Sequence, residues 1–338
     1  MRRATAATAL VGVLLGLVSG APARAEPGDT NGGGRATFGV RPTGKNGPDD
    51  RPTFAYAATP GGVFNDQMEI SNAGTRPLTL KVYASDAFTP RTGGFDLLTA
   101  GKKSDDAGTW VSLSRPVVTV PARSHVVVPF TLKVPATATP GDHSAGIVAS
   151  LTSFGNDAKG NKVAVDQRVG ARIYLRISGE LTPGLTVEGL TATYHPKANP
   201  FSPGRTTLTY RVRNTGNVRL GAHQKVTVNA PWGAYKTADG VADVPEILPG
   251  DAVDVTAEVR GAFPAIWLTS TVTADPVAQP GDGKLPLYTV KRDHGFWAVS
   301  WTLLAILGGI LLLVGALFGV RYLRRRGATT RGAANATA

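Results

Sequence analysis

No cysteine occurs anywhere in the 338 residues. That absence excludes disulfide staples, thiol nucleophiles and thiolate metal sites together. Aromatic residues are sparse, at 7% of the chain. The five histidines (125, 143, 195, 223 and 294) are scattered and form no His-x-x-x-His pair, so no metal site and no cofactor is expected. No amphipathic helix of useful length is discernible between residues 26 and 290. A chain built this way has to be held together by the apolar faces of β-strands.

Negative charge is missing from both ends. The formal net charge is +12, but eight of the 36 basic residues fall within 1–25 and 321–338, where there are no acids. The other 28 face 24 acidic residues, leaving +4. The basic excess is therefore topogenic and implies no nucleic-acid partner.

The first end reads as a secretory signal peptide over residues 1–25. Arg2 and Arg3 precede an apolar run from Ala6 to Val18, and Ala23-Arg24-Ala25 supplies a small-x-small cleavage site. The last end carries the longest uncharged stretch, from Phe296 to Val320. Its 25 residues, at 1.5 Å each, reach ~37 Å and exceed the ~30 Å hydrocarbon core of a bilayer. Phe296, Trp297 and Trp301 stand at its outer end and Val320 at its inner end. Arg321, Arg324, Arg325 and Arg326 then predict a cytoplasmic tail over 321–338. The expected topology is a single-pass type I protein of the cell membrane, with the large N-terminal part outside.

Between the ends, apolar residues recur with period two. Val126, Val128, Phe130, Leu132 and Val134 share one parity, as do Val169, Ala171, Ile173, Leu175 and Ile177. Leu208, Tyr210 and Val212 repeat this, as do Val253, Val255, Ala257 and Val259. Such alternation, punctuated by Pro-Gly turns, predicts half-buried antiparallel strands in sandwiches. An internal echo adds that there are two: a strand followed by Asn-x-Gly occurs at Asn72/Gly74 and again at Asn214/Gly216. The expectation is an all-β chain of two tandem immunoglobulin-like β-sandwiches followed by one C-terminal transmembrane helix. A linker would occupy 26–36, the sandwiches 37–180 and 181–275, a Pro/Gly-rich stalk 276–295 and the span 296–320.

Asp142, His143 and Ser144 stand in direct succession, which invites a catalytic reading. Neighbours on a strand point to opposite faces, so consecutive residues cannot converge as a relay. Asp142 is expected to cap the Pro-Gly turn, with His143 on the surface, and no enzymatic activity is expected. A second pattern lies on the strand 168–178, where Arg168, Arg172, Tyr174 and Arg176 share the face opposite the apolar one. This basic stripe is a candidate contact for an anionic wall polymer, through forked guanidinium hydrogen bonds. The alternative is a solvated face balanced by acids on the adjacent strand.

The stretches 37–44, 54–62, 69–87, 109–150 and 169–180 follow in the order seen in the peptidoglycan-binding domain of the WxL-interacting proteins, a Gram-positive surface family. Residues 37–180 resemble that domain; residues 181–275 have no such match. The resemblance implies a cell-surface protein whose first domain contacts peptidoglycan or another wall polymer and whose second binds a secreted or surface protein. A competing expectation is an assembly chaperone or transport accessory that takes client strands by edge addition.

Overall fold

The computed structural model describes residues 36–44, 47–156, 159–233 and 235–334; the leader 1–25 and nearly all of the linker 26–36 lie outside them. Two β-sandwiches follow one another. In the first, one sheet runs Gly47–Pro48, Phe38–Gly44, Val63–Asn72, Ser124–Lys133, Val111–Leu113. The facing sheet runs Phe54–Ala58, Lys162–Ile177, Gly141–Asn156, Leu78–Phe88, Asp96–Leu97, with Val117–Val120 also beside Leu78–Phe88. Every ladder is antiparallel except that of Phe54–Ala58 with the end of Lys162–Ile177.

The alternating residues meet between these sheets. Val128, Phe130 and Leu132 from one sheet and Ile147, Ala171, Ile173, Leu175 and Ile177 from the other are all buried. Full burial of each larger side chain is worth about 1.5–3 kcal/mol. The second sandwich packs a three-stranded sheet (Leu185–His195, Gly204–Asn214, Ala252–Ala262) against a second sheet. That one runs Tyr235–Thr237, Leu220–Asn229, Ala265–Ala278, Val290–Ala298, with Val244–Ile247 beside Leu220–Asn229.

The two Asn-x-Gly turns are the same device used twice. Each carries the chain from one sheet of its sandwich to the other, and each asparagine is buried. Asn72 Nδ2 donates to the carbonyls of Arg76, Val120 and Pro121, while its Oδ1 accepts from Gly74 N–H. Asn214 Nδ2 donates to Val218 O and Ile247 O, and its Oδ1 accepts from Gly216 N–H. An arch between sheets leaves carbonyls with no ladder partner, and the amide supplies the missing donors.

The structure differs from expectation between 275 and 301. The strand Ala265–Ala278 continues past Asp275, and Val290–Ala298 pairs with it along its length as an edge strand. Nine of the twenty residues that read as a stalk, 276–278 and 290–295, are therefore strand in the second sandwich. The sequence conceals this because an edge strand buries little, and Lys291, Arg292, Asp293 and His294 interrupt the apolar pattern. Phe296, expected at the head of the span, is 5% exposed within the second core. Trp297 lies on the same strand, and helix begins only at Trp301, running to Ala334. Its segment Trp301–Tyr322 contains Val320 and Arg321, is unburied, and is long and apolar enough to cross a membrane. Arg324, Arg325 and Arg326 continue the same helix without a break.

Candidate functional site

The Asp-His-Ser run sits where the two sandwiches meet, and its members face different neighbours. Gly141 begins a strand at φ 120°, and a Cβ there would fall on Asn217 of the second sandwich. Only glycine permits that approach. Asp142 N–H donates to Asn217 O at 2.7 Å, closing the junction. The Asp142 side chain, 2% exposed, is far from the expected turn cap. Arg176 reaches it in a fork, Nε to Oδ1 at 2.6 Å and Nη2 to Oδ2 at 2.7 Å. From the other sandwich, Arg219 N–H donates to Oδ2 at 2.8 Å and its Nε lies 3.5 Å away.

The network continues outward. Arg219 Nη1 donates to Glu246 Oε1 at 2.9 Å, and its guanidinium lies 3.9 Å from the centre of the Tyr174 ring. Tyr174 donates to Glu246 Oε2 at 3.1 Å. Arg176 also pairs with Asp282 at 2.8 Å. Hydrogen bonding to Asp142 raises the Arg176 pKa further above its ordinary value, against the opposing effect of burial. These groups fix one sandwich on the other through charge-assisted bonds in a partly dry seam. A second clasp lies beside it: Thr89 N–H donates to Asp251 Oδ2 at 2.6 Å, and Leu248 N–H donates to Thr89 Oγ1 at 2.9 Å.

The basic stripe is thereby divided. Arg176 and Tyr174 belong to the junction. Arg168 donates to Leu97 O at 3.1 Å. Arg172 is exposed, 4.5 Å from the centre of the Phe95 ring, with Nη1 3.3 Å from the Tyr174 hydroxyl. The residues that sequence reasoning missed are Asp142 as a node, Arg219, Glu246 and Asp282. Asp142 stands directly opposite Arg176 in the ladder, so the strand register alone would have found that pair. Arg219 is 77 residues away, and no local pattern signals it.

His143 also departs from the surface position expected of it, with a side chain only 12% exposed. Its Nδ1 lies 2.8 Å from Asp106, its Nε2 lies 2.9 Å from Thr139 O, and its ring packs against Trp110. Burial pulls its pKa down, but the Asp106 hydrogen bond, the Thr139 carbonyl and the nearby carboxylates outweigh this, and the net shift is upward. A raised folded pKa means that the protonated ring stabilises the fold below the unfolded value of ~6.5. That stability is lost as pH rises through the folded pKa. Thermal melts from pH 6 to 8 should show a decline that His143→Gln removes; parallel profiles would refute the pairing. Ser144 Oγ is buried and unpartnered, so the three consecutive residues form no relay. Among the described residues, no group of three or more His, Asp or Glu is arranged to hold a metal ion.

A different kind of feature lies at the far end of the first sandwich. The strands Gly141–Asn156 and Lys162–Ile177 pair all the way to Asn156 opposite Lys162. Their outer neighbours stop early: Leu78–Phe88 reaches only Ser150, and Phe54–Ala58 only Ile173. Beyond these points the hairpin projects as an arm. Along 162–172 its outer backbone edge pairs with no described strand. Eleven residues at ~3.3 Å each make an open edge of ~36 Å. Val163 and Val165 continue the parity of Ala171 and Ile173 past the core, 42% and 49% exposed, and Phe154 on the opposite face is 76% exposed. Long apolar edges are a liability that folded proteins usually blunt.

No protein-family model matches this sequence, and no curated protein matches it. Solved structures to which this chain is weakly similar include the class 5 fimbriae chaperone CfaA, at 11% identity over 78% of this chain and 100% of that one, with TM-score 0.35. A chaperone–tip adhesin complex of CFA/I fimbriae biogenesis is 12% identical over 75% and 97% of the two chains, with TM-score 0.37. The Pseudomonas aeruginosa CupB2 chaperone is 11% identical over 74% and 99%, with TM-score 0.29. At these values the likeness carries no conclusion about this chain's role.

Proposed function

We propose that this chain is a non-catalytic binding protein held at a membrane by the helix Trp301–Tyr322, which engages an extended segment of a protein partner by strand addition to its projecting hairpin. One observation carries this reading: a backbone edge along 162–172 that pairs with no described strand, flanked by Val163 and Val165 on what would be the core face. A two-stranded arm is marginal by itself in water. A third strand would satisfy its open donors and acceptors and cover both valines, which is the physics of β-augmentation. The junction network supports the same reading by holding the second sandwich firm behind the first.

The test is a photo-crosslinking residue in place of Asp166 on the full chain in intact cells. It should capture a partner, and Val163→Lys with Val165→Lys should reduce capture by about tenfold or more, since strand pairing needs both backbone and pocket. Both valines are exposed, so the melting temperature should hardly change. Undiminished capture by the double variant would overturn the proposal.

A second reading rests on Arg172, the stripe residue left exposed beside Phe95, together with the resemblance of 37–180 to the WxL-interacting proteins. In it the first sandwich grips peptidoglycan. Sedimentation with purified sacculi separates the two: wall binding lost in Arg172→Ala but kept in the valine variant favours this second reading.

A further inference from the structure

Four of the five tryptophans in the chain gather at one end of the second sandwich. The strand Val290–Ala298 ends two residues before the helix, so its Ala298 end is the end nearest the span. Ladder pairing brings other elements level with it. Ala265 stands opposite Ala298, and Trp267 opposite Trp297 with the rings edge to face at 5.2 Å. Asn229 pairs with Thr269, which places the following turn and Trp232 at the same end. Phe263 and Ile266 complete the group. Exposure is 65% for Trp232, 54% for Phe263, 75% for Ile266, 64% for Trp297 and 75% for Trp301. Trp267 is fixed in place, because a Cβ on Gly295 would fall on its ring.

Positive charge accompanies this crown. His195, Arg205 and Arg260 stand opposite one another on the last rungs of the three-stranded sheet. With Lys197 they border an open groove of about 500 Å³, in which Glu258 is the one acid and bonds Arg260 at 2.9 Å.

We propose that this end of the sandwich is a bilayer-docking surface. The aromatic crown lies in the interfacial layer, and the groove of Lys197, Arg205 and Arg260 takes lipid phosphates. The inference rests on the reading of Trp301–Tyr322 as a membrane span. Given that span, geometry leaves little alternative. The three steps from Ala298 to Trp301 reach at most ~10–11 Å, while the headgroup layer on each side of the hydrocarbon core is itself ~5–8 Å thick. Ser300 ties the joint further, with its carbonyl accepting from Leu304 N–H at 3.1 Å. The sandwich must therefore sit against the headgroups, and the side chains it presents there are those that favour an interface: indole rings with a polar N–H, and cations. Docking would hold the two sandwiches at one fixed tilt, and with them the direction in which the hairpin arm points.

The lack of cysteine makes the test direct. Single substitutions Ile266→Cys, Leu312→Cys and Thr79→Cys in the full chain each accept one fluorophore, and the protein is reconstituted in phosphatidylcholine–phosphatidylglycerol vesicles. Spin-labelled lipids should quench position 266 at least about twofold more than position 79, as expected of an interfacial residue. Position 312 reports the span independently. If 312 is quenched and 266 behaves like 79, docking is refuted while the span stands; if 312 is not quenched, the span reading itself fails. Arg205→Glu with Arg260→Glu should lower quenching at 266 and abolish its dependence on phosphatidylglycerol; unchanged quenching would overturn the phosphate contact.

Discussion

Asp142→Ala is expected to lower the stability of the folded chain by about 3–5 kcal/mol, the range for removing one partner of a buried ion pair. The cost follows from what the variant leaves behind. Arg176 and Arg219 would face one another across the junction with the shared carboxylate gone, each partly withdrawn from water. The backbone N–H of Arg219 would lose its acceptor as well. Asp282 and Glu246 remain to hold the outer ends of the two guanidinium groups, but neither reaches both. At about 2–4 °C per kcal/mol for a body of this size, the melting temperature should fall by about 10 °C. Because Asp142 links the sandwiches, scanning calorimetry of the full chain should also show one cooperative transition dividing into two. Asp142→Asn keeps the size and one acceptor but not the charge, and should recover only part of the loss. A shift below about 2 °C for Asp142→Ala would mean that the junction contributes little.

The reach of sequence reasoning is set by how far apart interacting residues lie along the chain. Rows such as Val126 to Val134 and Val169 to Ile177 are legible because one side of each strand faces the core and the other faces water. The same rule conceals the strand Val290–Ala298. It lies at a sheet edge, its buried residues include Phe296 and Ala298, and the charged run before them resembles a tether. The hairpin arm is hidden for the opposite reason. Its apolar parity is regular through Val163 and Val165, but periodicity does not tell where the partner sheet stops. Ion pairs divide likewise. Arg176 with Asp142 could have been read from strand register, whereas Arg219 comes from the other sandwich, 77 residues away. Two of the four stripe residues, Tyr174 and Arg176, are used to clamp the second sandwich, which the parity of the strand does not reveal.

The echo between Asn72 and Asn214 was the most informative local signal, and it supports the second large prediction. Asn214→Ala should cost about 2–6 kcal/mol, since two buried carbonyls lose a side-chain donor at about 1–3 kcal/mol per stranded group, while Gly216 N–H keeps Gly184 O at 3.3 Å. Asn214 is fully buried, and its carbonyl partners at Val218 and Ile247 lie 4 and 33 residues away. Removing it therefore loosens the arch and detaches Ile247 from it. Asn214→Asp is the sharper probe. It is nearly isosteric and keeps the acceptor for Gly216 N–H, but aims a carboxylate at two carbonyl oxygens that need donors. It should be at least as harmful as alanine, whereas a purely space-filling asparagine would tolerate it. Gly216 adds a steric check, because a Cβ there would meet the backbone at Thr182 and Gly184. Overpacking against backbone atoms costs about 1–3 kcal/mol, so Gly216→Ala should weaken the same sandwich. Urea unfolding followed by tryptophan emission in a Trp110→Phe background measures all three, since Trp110 packs in the first sandwich while Trp232, Trp267 and Trp297 report on the second. Because the intact junction couples the sandwiches, Asn72→Ala in the first should move that signal's midpoint too, and should leave it nearly unmoved once Asp142→Ala has separated them. A midpoint unmoved by Asn72→Ala with Asp142 intact would mean that the junction does not make the two sandwiches unfold together.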